Sequence, residues 1–216
     1  MKFENTKTFN FESALLGMRN PLNSWGRSDS VFYQDGDFRI GENDLNLAQR
    51  LLKGGSEHSK FMRQIFVSVN ITAPLYWWKE FDTYKIGATA NSTSTMHTLT
   101  KNEIKEDMFS FDKEGELAIR CSVVEAIRNC ERLRAKYVET KDKRYWRALI
   151  QLLPEGFNQM RTVTLNYANL RNIYKQRKGH KLVEWHKFCD LVESLPYAKE
   201  LILYGLGDGS DSATHH

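Results

Sequence analysis

Cysteine is scarce: Cys121, Cys130 and Cys189 are the only three in 216 residues, an odd number without a CxxC pair. That excludes a disulfide scaffold, argues against structural zinc, and leads to the expectation of a reduced, cytoplasmic setting. Long apolar runs are missing as well. No stretch approaches the roughly 20 residues of a membrane-spanning helix, and MKFENTKTFNFE at the N-terminus lacks the apolar core of a secretion signal. Nor does one sign of charge dominate, since 31 Lys and Arg against 27 Asp and Glu leave a net +4. The basic stretches 141–147 and 175–181 are interleaved with or flanked by Glu139, Asp142 and Glu184, which argues against nucleic-acid binding and suits a small anionic ligand. There is no HExxH, and His180 and His186 lie six apart around Glu184. No metal site is expected from that spacing.

What remains is a chain with 41% hydrophobic and 12% aromatic residues, enough for one substantial core. A single domain over 1–204 is expected, with 205–216 (GLGDGSDSATHH) as a flexible tail. Residues 31–40 alternate around Asp35–Gly36, a hairpin signal. Asn43 is placed to cap a helix that ends at Gly54–Gly55, and 64–71 (QIFVSVNI) reads as a strand. Helical spacing predicts helices over 73–84, 116–136, 143–153, 166–177 and 182–194, with weak alternation over 157–165. The class is a mixed α/β (α+β) fold without internal repeats.

The segment 73–97, APLYWWKEFDTYKIGATANSTSTMH, stands out. An aromatic amphipathic helix breaks at Gly87 into a run of small polar residues. Asn91, Ser92, Thr93, Ser94 and Thr95 offer a fan of donors and acceptors, with Lys85 as a nearby cation. The same residues are equally suited to closing a surface turn. Trp77, Trp78 and Phe81 read as core rather than as ring-stacking partners. His97 can bond a ligand or titrate near neutral pH. Cys121 and Cys130 fall inside a predicted helix, and no cysteine has a histidine base at recognisable spacing.

These residues resemble a known family. Ala73–Pro74, the aromatic helix and the polar run are similar to the flavin-dependent thymidylate synthases, whose signature reads RHRxxSxNExSxRY after an AP-started helix ending in RQ. Lys79–Glu80 stands at the RQ, Thr83–Tyr84–Lys85 at the RHR and, after one inserted residue, Asn91, Ser94 and Met96–His97 at the N, S and RY. His58 falls on the family's upstream histidine. Leu153–Pro154, Asn166, Asn172 and Arg177 reproduce a later LP, Asn, Asn, Arg series without a gap. The likeness covers 58–97 and 153–185. Two signature arginines are absent: Thr83 and Met96 stand in their places, and neither can grip a phosphate as an arginine fork does.

The resemblance implies an α+β fold, an antiparallel sheet flanked by helices in the manner of thymidylate synthase-complementing proteins. It implies a homotetramer with sites built from several chains. The implied reaction is reductive methylation of dUMP or a related pyrimidine nucleotide, with FAD as cofactor and NADPH and methylene-tetrahydrofolate as co-substrates. By position, Arg177 and Ser94 would act in catalysis. His58, Asn91, Asn166 and Asn172 would hold the flavin, and Lys85, Ser92, His97 and Arg177 the nucleotide. Read without the family, Arg177 is an exposed cation beside Lys175 and Lys178, His58 a turn residue, and Asn166 and Asn172 a helix cap and a surface amide. A non-catalytic relative that binds flavin or nucleotide, or serves assembly, is the competing reading.

Overall fold

The computed structural model describes residues 1–207, so 208–216 of the expected tail lie outside the described residues. Strands β1 (Lys2–Phe9), β4 (Phe66–Pro74), β5 (Thr89–Ser92) and β6 (Asn158–Asn166) form a four-stranded sheet in the order β1-β4-β6-β5. Strands β2 (Val31–Phe32) and β3 (Phe38–Arg39) make the expected hairpin, antiparallel with Val31 opposite Arg39 and Phe32 opposite Phe38. Gly36 turns it at φ 94, a conformation that favours glycine. With helices α1 (Phe11–Arg19), α2 (Glu42–Lys53), α3 (Leu75–Phe81), α4 (Thr95–Thr98), α5 (Leu117–Thr140), α6 (Lys143–Leu152), α7 (Tyr167–Arg177) and α8 (Val183–Glu193), the protein is a mixed helix and antiparallel-sheet fold. Among the described residues no helix is long and apolar enough to cross a membrane.

Period-2 burial explains the inner strands. Val67, Val69, Ile71 and Ala73 of β4 are buried at alternate positions, as are Val163 and Leu165 of β6. Strand β4 runs on through Ala73–Pro74, so α3 begins later than its apolar spacing suggests. Strand β1 and helix α1 were not anticipated. Strand β1 is mostly exposed and carries Asn5 at φ 54, and Asn10 at φ 70 turns the chain into α1.

The described residues fall into two compact units. The first comprises 1–4, 70–83 and 90–163. Its helices α5 and α6 are joined through Lys141 at φ 56, with Asp142 accepting from Arg144 N at 2.9 Å as the cap of α6. Leu99, Ile104, Phe109, Ile127, Cys130 and Leu149 form a core there.

The second unit comprises 5–69, 84–89 and the chain from 164 onward. Ala14, Ile65, Tyr167, Ile173, Trp185, Phe188 and Leu201 are among its fully buried side chains. Each buried Ile, Leu or Phe among them contributes about 1.5–3 kcal/mol. The cap of α2 differs from expectation. Gly41 rather than Asn43 precedes the helix, and the Asp29 carboxylate accepts from Asn43 N at 3.0 Å and Asp44 N at 3.2 Å. A Cβ on Gly41 would lie 2.1 Å from Asp29 Cγ, so only glycine permits that approach. An acceptor from a residue fourteen positions away leaves no local signature.

Candidate functional site

Helix α7 carries the polar positions, and its start is set by a reciprocal cap. Asn166 Oδ1 accepts from Asn169 N at 2.9 Å, while Asn169 Oδ1 accepts from Asn166 N at 3.3 Å. Asn166 is 7% exposed. Asn169 Nδ2 also donates to Ile86 O at 2.7 Å. Gly87, at φ 75, lies so close that a Cβ there would meet Asn169 Oδ1 at 3.0 Å and Asn166 Nδ2 at 3.1 Å. The 84–87 segment is thereby tied to the amides at the head of α7.

The far end of α7 is tied to the same segment. Arg177 Nε donates to Tyr84 Oη at 2.7 Å, and Tyr84 donates to Gln176 Oε1 at 3.0 Å. Gln176 Nε2 in turn donates to Asn172 Oδ1 at 2.9 Å. The Arg177 guanidinium lies 4.6 Å from the Trp185 ring centroid and 5.5 Å from that of Tyr84. Trp185 is fully buried, so the indole is a fixed shelf for a half-buried cation. Thus Asn166 caps the helix, Asn172 sits inside it and is exposed, and Arg177 ends it. Lys85 is exposed beside Tyr84. His58 is exposed in a turn, its N–H donating to Gly55 O at 3.2 Å and its ring lying against Gly54.

The run 91–97 folds as the end of β5 followed by the short helix α4. Asn91 and Ser92 are exposed on β5, and Thr93 N continues the pairing to Met160 O at 2.9 Å. Gln159 Nε2 donates to Thr93 O at 2.7 Å. Ser94 caps the single turn of α4, its Oγ accepting from His97 N at 3.3 Å and its carbonyl accepting from Thr98 Oγ1 at 2.7 Å. Thr93 Oγ1 donates to Met160 O at 3.2 Å. His97 is exposed. Short side-chain oxygens satisfy nearby backbone whenever the geometry allows, and here it does.

No family model matches the chain, and no curated protein matches it in sequence. Solved structures do match. The flavin-dependent thymidylate synthase ThyX of Helicobacter pylori, complexed with FAD and dUMP, aligns with a TM-score of 0.71 at 19% identity, covering 95% of this chain and 98% of that one. A second structure of the same enzyme with FAD and dUMP gives a TM-score of 0.72 with the same identity and coverage. The fold is that of ThyX.

Within the ThyX fold the aromatic helix is core. Trp77 and Trp78 are fully buried, and Phe81 is 3% exposed. Trp78 Nε1 donates to Gln159 O at 2.9 Å. Sequence reasoning missed Arg161, whose guanidinium lies 4.3 Å from the Trp78 centroid and donates to Asp82 Oδ1 at 2.7 Å. It also missed the Trp185 shelf, although Trp185, Phe188 and Val192 share an apolar face of α8. Burial raises the Cys130 thiol to about 11 and the Cys189 thiol, with a smaller push from Glu193 and Asp190, to about 12. Both stay protonated near neutrality and make poor nucleophiles. Among the described residues no three His, Cys, Asp or Glu side chains gather as a metal site. His186 Nε2 donates instead to the His180 carbonyl at 2.7 Å.

Proposed function

We propose that this protein is a thymidylate synthase-like flavoprotein that binds FAD and dUMP, or a related pyrimidine nucleotide, on the polar side of α7. The observation that carries the reading is the Arg177 guanidinium held on Trp185 and bonded to Tyr84. A pyrimidine ring edge alternates carbonyl acceptors with an N–H donor, and the isoalloxazine of a flavin repeats that pattern. Amides and a guanidinium are the side chains that match it, so the donor set of α7 fits both rings. The likeness to structures complexed with FAD and dUMP supports the same assignment.

In this reading Arg177 donates to a uracil carbonyl as negative charge gathers there, and its rigid seat means that little reorganisation is needed. Asn172 and Asn166, with His58, orient the flavin. A reduced flavin, when bound, supplies the hydride of reductive methylation, with methylene-tetrahydrofolate and NADPH as co-substrates. Lys85 offers a point charge to the nucleotide phosphate. Ser94, whose oxygen accepts from His97 N, keeps its hydroxyl proton to donate. Asn91, Ser92 and His97 are exposed donors for a nucleotide shared between chains of a homotetramer working in the cytoplasm.

A second reading, a relative that binds without catalysing, is favoured by the missing arginines. Thr83 spends its hydroxyl on Glu80 O at 2.7 Å, and Met96 is half-exposed without charge. Absorbance separates the two. An enzyme purifies yellow, bleaches on reduction and reoxidises at a rate that dUMP changes. A flavoprotein whose reoxidation ignores dUMP is the non-catalytic relative. Colourless protein that takes up no added FAD overturns the flavin assignment in both.

A further inference from the structure

Helices α1 and α2 and the chain between them border a half-open cavity that is separate from the α7 residues. It measures about 560 Å³ and is lined by three arginines, Arg19, Arg27 and Arg50, with Asn23 and Asn43 beside them. No acidic side chain lines it. Arg19 is 3% exposed, and its guanidinium is only partly satisfied. Its Nε donates to Asp44 Oδ1 at 2.6 Å and its Nη1 to Ser24 O at 3.3 Å, but Nη2 is buried without a partner. Arg19 belongs to the cavity lining, with one guanidinium N–H buried behind it without a protein acceptor.

The charge balance indicates which acceptor. Asp44 neutralises Arg19 and is itself saturated by Ser28 Oγ at 2.7 Å and Ser30 Oγ at 2.5 Å. The Asp29 carboxylate is turned to the amides of α2. Among the described residues Arg27 and Arg50 form no ion pair, so the lining itself carries excess positive charge. A phosphate monoester carries about two negative charges near neutral pH and accepts guanidinium forks, whereas a carboxylate carries one. The volume exceeds what a free phosphate ion fills.

We propose that this cavity binds the phosphate group of a small phosphorylated molecule, with Arg27 and Arg50 supplying charge and Arg19 the third guanidinium of the lining. The site is separate from the α7 assignment and does not rest on it.

Calorimetric titration of the full chain with inorganic phosphate and with glycerol 3-phosphate tests this at constant ionic strength, with acetate as the monoanionic control. Wild type should bind phosphate saturably and acetate not at all. The Arg27→Gln/Arg50→Gln double variant should lose at least tenfold in affinity. The tighter of the two probes tells whether a free or an esterified phosphate is the occupant. Absence of saturable phosphate binding overturns the proposal, as does a double variant that binds like wild type. Should the double variant fail to fold, phenylglyoxal labelling of wild type decides. Phosphate should slow modification of Arg27 and Arg50 severalfold, and equal rates with and without it reject the site.

Discussion

Residues 91–98 and the pairing of 84–87 with α7 both spend polar side chains on hydrogen bonds, yet they use them in opposite ways. In 94–98 the groups turn back on their own neighbourhood: Ser94 caps α4 and Thr98 bonds the Ser94 carbonyl, while Thr93 pairs across to Met160 as part of the sheet. In the α7 pairing the bonds reach across the chain, Tyr84 to Arg177 over 93 positions and Ile86 to Asn169 over 83. The first arrangement satisfies backbone. The second holds a cation in one place, and a held cation is what stabilises developing charge. Polar composition alone therefore does not distinguish a closed turn from a seat for a functional group.

The contrast breaks most sharply at Trp185. Trp185→Ala removes a fully buried indole from beneath the guanidinium and should cost about 3–5 kcal/mol in denaturant unfolding. A loss below about 1 kcal/mol would mean that the shelf is not a packed element. Arg177→Ala should cost less, about 1–2 kcal/mol from the lost ring contact, while nucleotide or flavin binding by calorimetry falls at least tenfold. Intact binding there would take the site away from α7. Asn166→Ala should cost about 1 kcal/mol through the lost cap. It should weaken flavin binding as well, both by removing an orienting amide and by loosening Asn169 and with it the 84–87 segment. The smallest change is expected in the other region. Ser94→Ala should lower stability by about 0.5 kcal/mol, the lower end of cap losses, and weaken nucleotide binding less than Arg177→Ala does. A larger binding loss at Ser94 would reverse the comparison.

Much of the architecture was legible because it is written in local pattern. The hairpin at Asp35–Gly36 and helices α5, α6, α7 and α8 follow from turn chemistry and 3.6-residue spacing, and their observed bounds lie close to the expected ones. Strand β1 was illegible because its side chains are polar and exposed and its middle residue, Asn5, leaves the strand region of backbone space. The cap of α2 was misassigned to Asn43 because the true acceptor, Asp29, belongs to a different segment. In the candidate site, the spacing of Asn166, Asn172 and Arg177 could be read directly. Their partners could not, since Tyr84 and Trp185 reach Arg177 only once the chain has folded.

The sequence by itself determined the class of fold and the positions on α7 that carry donors, because side-chain type and periodicity are local properties. It also marked 73–97 as unusual. Only the tertiary structure decided that Ser94 of that segment caps its own short helix, that Arg177 rests on a buried indole, and that Arg19, Arg27 and Arg50 line one cavity. Hydrogen-bond satisfaction depends on which groups meet in space, and chain order does not encode those meetings residue by residue.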